Sequence, residues 1–235
     1  MRREAFNSFD YGQALGWPEV ALRVELVRER LAAGGRVLEV GLGTGEMTAM
    51  ALELGAEVTC VDPDEQKWAS CRERLGREQA ARVRFIGARI EEAELPAKGF
   101  EQVLLQNILE HLPAPTAVLR NLTACLAEGG LMHICVPLAH SLHRRLAAAM
   151  GLLRECTELA ESDIRFGHYR VYTPDLLRGH VGEAGLRIRY ERPFYLKPLP
   201  TAQLNDLPIE MHRGLMRLGE ELPELAAYLY VEAGR

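Results

Sequence analysis

The stretch from Arg36 to Asp64 constrains the fold more than any other part of this chain. It reads Arg-Val-Leu-Glu-Val-Gly-Leu-Gly-Thr-Gly-Glu-Met, continues through a helical pattern, and returns as Glu-Val-Thr-Cys-Val-Asp-Pro-Asp. Val37, Leu38 and Val40 make the short apolar run of a strand buried on both faces. Gly41, Gly43 and Gly45 follow at once. A glycine turn between strand and helix lets backbone approach a ligand with no Cβ in the way. The next strand, expected over Val58 to Val61, ends in Asp62. An acid about 20 residues beyond such a loop sits where a carboxylate can accept both ribose hydroxyls of a nucleotide-type cofactor.

Two features narrow the cofactor. The glycines are spaced Gly-x-Gly-x-Gly rather than the Gly-x-Gly-x-x-Gly of dinucleotide sites, and Glu39 puts a carboxylate where a pyrophosphate would lie. S-adenosylmethionine has no phosphate but carries an ammonium and a sulfonium, both attracted by a nearby carboxylate. On these residues the segment from Arg36 to Glu191 resembles the class I S-adenosylmethionine-dependent methyltransferases, whose first motif reads acid-x-Gly-x-Gly-x-Gly. The resemblance implies a Rossmann-like, doubly wound α/β fold: a mostly parallel seven-stranded sheet, helices on both faces, and an antiparallel last strand. It implies S-adenosylmethionine as cofactor, S-adenosylhomocysteine as product, and methyl transfer to an oxygen or nitrogen of a small, possibly anionic, metabolite. The alternatives are a nicotinamide-dependent oxidoreductase and a non-catalytic S-adenosylmethionine-binding protein.

The implied cofactor contacts are Glu39, Gly41, Gly43, Gly45, Asp62 and Pro63, with Gln106 and Asn107 at the end of the fourth strand. Many relatives place an acid after the glycine that follows strand three, whereas Gly87 is followed here by Ala88 and Arg89, so adenine contact falls to Arg89 and Ile90. Tyr11 belongs to an aromatic N-terminal segment that either closes over the cofactor or packs against the sheet.

The fourth strand leads into Asn107-Ile108-Leu109-Glu110-His111, and its Leu-Glu-His triplet resembles methyltransferases of the ubiquinone-biosynthesis type. Methyl transfer is an in-line displacement at carbon, and alignment alone can contribute ~7–11 kcal/mol. A general base adds about 10²–10⁴-fold where the acceptor must lose a proton. His111, His143 and His168 are the candidates for that base, since imidazole titrates near working pH. Glu110 and His111 are read first as supports of loop geometry through hydrogen bonds, with proton transfer as the alternative. Among His140, His143 and His168 the sequence shows no neighbouring carboxylate ligand, so no metal is expected. Arg144, Arg145, Arg154, Arg165 and Arg170 make the segment between strands five and six basic. They form a solvated face, or one or two of them, Arg144 and Arg170 foremost, hold an anionic acceptor.

Composition bounds the rest. A chain of 235 residues with a net charge of −5 fits one domain and gives no general reason to bind nucleic acid or an anionic membrane. No apolar run nears the ~20 residues of a membrane span, and the N-terminal residues lack a signal-peptide core, so a cytoplasmic monomer or homodimer is expected. The expected divisions are 1–35 (lid and helix), 36–137 (cofactor core), 138–173 (substrate cover) and 174–235 (the rest of the sheet with a helical insertion). The five cysteines, an odd number without a Cys-x-x-Cys pair, are expected as free thiols.

Hydrophobic spacing predicts a first helix from Pro18 with Val20, Val24, Val27 and Leu31 inward. It predicts a helix from Asp64 to Leu75, one from Pro115 that stops at Gly129-Gly130, and a fifth strand over Leu131 to Val136. A sixth strand is expected to end at Glu191, before an irregular proline-marked stretch. Last come a helix over Pro208 to Leu218 with Ile209, Leu215 and Leu218 on its face, and a strand over Ala226 to Val231.

Overall fold

In the computed structural model, residues 18–235 are described, and Tyr11 lies outside them. Seven strands form one sheet: β1 (Arg36–Val40), β2 (Glu57–Val61), β3 (Val83–Ile86), β4 (Phe100–Gln106), β5 (Leu126–Pro137), β6 (Arg187–Leu196) and β7 (Ala226–Gly234). Their order is β3-β2-β1-β4-β5-β7-β6. Neighbours from β3 to β5 pair parallel, and β7 runs antiparallel between β5 and β6. This is the mostly parallel, doubly wound sheet that the motif implied. The order reverses beside β1, between β1 and β4, and ligands of open α/β sheets bind there, beyond the carboxyl ends of the strands.

Helices cover both faces. On one face α1 (Pro18–Arg28), α2 (Glu46–Glu53), α3 (Glu65–Ala80) and α9 (Ile209–Glu221) close a core that includes Leu26, Met50, Leu75, Leu104 and Tyr230. On the other, α4 (Pro115–Cys125) and α7 (Pro174–Glu183) pack through Leu119, Leu122, Leu177 and Val181 onto Leu38, Val103 and Ile134. Two short helices, α5 (Leu142–Ala149) and α6 (Glu161–Arg165), belong to the excursion after β5, and α8 (Thr201–Leu204) precedes α9.

Several local expectations are corrected. The inward face of α1 is Glu19, Leu22, Leu26 and Val27, not a stripe through Val20 and Val24. A buried acid on that face hides the amphipathic pattern, and Glu19 is sustained by the Tyr228 hydroxyl and by Lys197 Nζ at 3.8 Å. Helix α3 continues past Leu75 across a kink at Gly76. Helix α4 ends at Cys125, and Gly129 and Gly130 lie inside β5. A Cβ on Gly130 would press at 3.1 Å on the carbonyls of Phe100, Glu101 and Ala127. Strand β6 runs through Pro193, which pairs with Leu229, because an edge strand tolerates a missing backbone donor. Helix α9 buries His212, Met216 and Gly219 while Ile209 and Leu218 are exposed. Tertiary contact overrides hydrophobic spacing there: Gly219 lies on the backbone of Phe194 and Tyr195, and His212 Nδ1 meets the Tyr195 hydroxyl at 2.7 Å.

Candidate active site

The loop after β1 is built as its glycines demand. Gly41, Gly43 and Gly45 all have positive φ, which disfavours any residue with a Cβ. A Cβ on Gly41 would overlap the Ile108 side chain, and one on Gly45, at the N-cap of α2, would sit 2.9 Å from the Cys71 sulfur. At Gly43 no atom lies within 4 Å of the position a Cβ would take, so the loop's backbone faces open space at its middle. Gly41 N–H donates to the Val61 carbonyl at 2.9 Å, which ties the loop to the end of β2.

Asp62 is the hub of that end. Its Oδ2 accepts from Leu42 N at 2.9 Å and from Lys67 Nζ at 3.3 Å, and its Oδ1 accepts from Asp64 N at 2.9 Å. An ionised carboxylate has about four acceptor positions, so three protein donors fix its plane and leave room for a ligand hydroxyl. Both members of the Asp62–Lys67 pair are buried. The sequence reading missed Lys67; a lysine three residues beyond a helix cap was the available signal. Pro63 is exposed beside the pair, and the Trp68 indole donates to the Asp62 carbonyl at 3.0 Å.

Glu39 occupies a different place from the one its charge suggested. Its carboxylate is buried beneath the loop, accepts from the Thr48 hydroxyl of α2, and has the Cys60 thiol at 3.7 Å. Burial pushes it up to about 8, against those two hydrogen bonds, so at neutral pH it is largely protonated. It braces strand β1 against α2 from below instead of presenting an open negative charge to a cation. Arg89 is exposed and engages Glu91 at 3.2 Å, while Ile90 is partly buried against the core.

At the end of β4 the chain turns sharply. Asn107 takes φ +54, a conformation asparagine tolerates better than most residues, and its backbone N–H donates to the Cys135 carbonyl at 2.9 Å. Gln106 Nε2 donates to the His133 carbonyl at 2.8 Å. Gln106 Oε1, Asn107 Oδ1 and Glu110 Oε2 are buried with no hydrogen-bond partner among the described residues. Buried polar atoms are nearly always paired, so three orphans at one strand end mark a surface built to meet something else.

Glu110 and His111 lie in a short 3₁₀ turn, Leu109–His111, and the fold delivers His168 to them from the far side of α6. The rings of His111 and His168 meet edge-on with centroids 4.6 Å apart. One ligand atom from each of Glu110, His111 and His168 lies within 4.8 Å of the other two, a donor set able to hold a divalent cation. Glu110 and His111 are neighbours in the sequence; tertiary folding supplies His168. Asp163 backs His168 at 3.4 Å. Burial pushes Glu110 up to about 7 and, with help from His168 and Lys67, drives His111 down to about 3.

The segment between β5 and α7 covers this turn, held by Arg144 and Arg170, for which the sequence left open a solvated face or an anionic acceptor. Arg170 donates to the carbonyls of Leu109 at 2.8 Å, Leu112 at 2.5 Å and Pro113 at 3.0 Å. Arg144 is buried, binds Asp163 at 2.8 Å, and donates to the carbonyls of Cys156 and Glu158. Both guanidiniums are spent on fastening the cover. His143, the third histidine singled out in the sequence, stands apart from the pair, beside Lys197, whose carbonyl accepts from His143 N at 3.0 Å. Burial pushes its imidazole down to about 3.

The chain is similar to known proteins over most of its length. It is 36% identical over 175 residues to the ubiquinone biosynthesis O-methyltransferase of Xanthomonas euvesicatoria pv. vesicatoria, covering 71% of this chain and 69% of that protein. The chain spans about half the length, 48%, of the first curated relatives it matches. Among solved structures, an S-adenosylmethionine-dependent methyltransferase from Mesorhizobium loti shares the fold with a TM-score of 0.68 at 19% identity, over 90% of this chain and 96% of that one. So does the 1,6-didemethyltoxoflavin-N1-methyltransferase of Burkholderia thailandensis, solved with 1,6-didemethyltoxoflavin and S-adenosylhomocysteine bound, with a TM-score of 0.65 at 20% identity over 99% and 85% of the two chains. The model of the methyltransferase domain matches residues 17–191, which hold the glycine loop, Asp62 and the Glu110–His111–His168 cluster alike, and the chain belongs to that family.

Proposed function

We propose that this protein transfers the methyl group of S-adenosylmethionine to an oxygen or nitrogen of a small molecule. The observation that carries the reading is the loop at 41–45, open at Gly43 and fixed by Asp62, opposite a strand end where Gln106 Oε1, Asn107 Oδ1 and Glu110 Oε2 have no partner among the described residues. The loop and Asp62 hold the adenosyl part, and the orphaned atoms of Gln106, Asn107 and Glu110 receive the methionine end and the acceptor. Alignment does most of the work, because the sulfonium is an intrinsically good leaving group. Glu110, held near 7, is the member of the cluster able to take a proton at working pH; His111 is too weakly basic. Calorimetric titration with S-adenosylmethionine, S-adenosylhomocysteine and NAD tests the cofactor, and uptake of NAD alone overturns the proposal. Transfer of label from methyl-labelled cofactor into a metabolite extract tests the chemistry, and Glu110→Gln is expected to slow it about 10²-fold or more.

The donor set favours a second reading of the same cluster, in which Glu110, His111 and His168 hold a divalent cation that orients an acceptor oxygen. Chelation followed by readdition of magnesium or manganese separates the readings: a proton carrier keeps its rate, a cation site loses and regains it.

A further inference from the structure

Methyl transfer as described makes no use of Lys67, yet its side chain is buried beside Asp62. Lys67 is the third residue of α3, whose start is fixed by the Asp64 carboxylate accepting from Gln66 N at 3.0 Å. A cation in the first turn of a helix lies at the positive end of the helix dipole, where it is disfavoured. The helix opposes this placement, and Asp62 sustains it through Oδ2 at 3.3 Å.

The acceptor capacity of Asp62 gives the pairing its consequence. Leu42 N and Asp64 N each donate to it at 2.9 Å, and Lys67 Nζ at 3.3 Å. A carboxylate offers about four acceptor positions, so with three donors in place about one remains. A ribose diol brings two hydroxyl donors, and one of the present three has to yield to the second. The backbone donors are pinned. Gly41 N–H is bonded to the Val61 carbonyl and Gly45 N–H to the Leu42 carbonyl, both at 2.9 Å, and the Trp68 indole holds the Asp62 carbonyl at 3.0 Å. Lys67 makes the longest of the three contacts, and its ammonium rides on a flexible four-carbon stem.

We propose that Lys67 is an internal competitor for the cofactor's ribose: it holds Asp62 before the cofactor binds, yields to the ribose hydroxyls, and returns to Asp62 as the spent cofactor leaves. The inference rests on the methyltransferase reading, with Asp62 as the acceptor of the ribose diol. A buried carboxylate short of donors is costly, which calls for the lysine before binding. A donor that never yielded would leave the second hydroxyl unmet, which is costly in turn. An ammonium on a long stem meets both demands.

The test compares S-adenosylhomocysteine with its 2′,3′-dideoxy analogue by calorimetric titration of the wild-type protein and of Lys67→Met. S-adenosylhomocysteine is expected to bind Lys67→Met about tenfold more tightly than the wild-type protein, the effect of one charge-assisted hydrogen bond that no longer has to break. The dideoxy analogue displaces nothing, so its affinity for the two proteins should agree within about twofold, which certifies that the variant is folded. Lys67→Gln keeps a neutral donor to Asp62 and should gain about threefold for S-adenosylhomocysteine, so it carries the test should Lys67→Met fail to fold. A folded variant whose affinity for S-adenosylhomocysteine is unchanged or weakened overturns the proposal, because the lysine is then a bystander or a donor to the ribose. An equal gain for both ligands also overturns it, since the lysine would then obstruct the cleft without competing for the diol. Failure of the wild-type protein to bind S-adenosylhomocysteine overturns the methyltransferase reading and this inference with it, whereas binding without the gain removes this inference alone.

Discussion

The two halves of the site are finished to different degrees. At the loop at 41–45 the two carboxylates below it are held by protein donors: Asp62 by Leu42, Asp64 and Lys67, and Glu39 by Thr48. Around the end of β4 and beneath the cover, Asn107, Glu110, Ser141 and His143 keep buried atoms with no partner among the described residues. The first half is organised before any ligand arrives, which suits a cofactor common to a whole family. The second stores unmet hydrogen-bonding capacity, which a particular acceptor must supply. Preorganised groups cost little at the moment of binding; unmet ones discriminate, because a ligand lacking the right polar atoms leaves the cost in place.

The contrast is most easily broken at Asp62. Replacing it with Ala removes the carboxylate that accepts from Leu42 N and Asp64 N and pairs with the buried Lys67 ammonium, so the protein should lose ~3–5 kcal/mol in denaturant unfolding and its affinity for S-adenosylhomocysteine with it. A loss under about 1 kcal/mol would mean the cofactor half is not prebuilt.

Glu39 gives the next largest effect, as a pH dependence. Its folded value is raised, so the stability it contributes is fully present below its usual value of 4.5 and is lost as pH rises through about 8. Against Glu39→Gln, the wild-type protein should therefore lose on the order of 3 kcal/mol between pH 5 and pH 9. A pH-independent difference between the two would place the carboxylate, ionised, at the loop surface.

Arg170 sharpens the comparison at the smallest scale. Arg170→Ala removes three carbonyl contacts between the cover and the turn at Leu109–His111. Hydrogen exchange at Tyr169 N–H, which donates to the Glu110 carbonyl at 2.8 Å, should quicken about tenfold while S-adenosylhomocysteine affinity stays within about twofold. An unchanged exchange rate would show that the cover is held by something other than this arginine.

Most of the fold was legible because its signals are local. Val37 to Gly45 carries strand, turn and helix start within one continuous run, and Thr173-Pro174 caps α7 with the Thr173 hydroxyl accepting from Leu176 N at 3.2 Å. Elements were misjudged where a side chain answers to a distant partner: Glu19 on the inner face of α1, Gly130 inside β5, Gly219 against β6. The site divides in the same way. The sequence by itself determined the glycine loop and Asp62, since a backbone that must take positive φ and a strand that must end in an acid are properties of neighbouring residues. Tertiary structure alone decided that Glu39 faces inward, that His168 meets His111 while His143 does not, and that Arg144 and Arg170 clamp the cover. The charge of a side chain is written in the sequence, but its effect depends on what dielectric surrounds it and which opposite charge lies a few ångströms away, and both are set by residues remote along the chain.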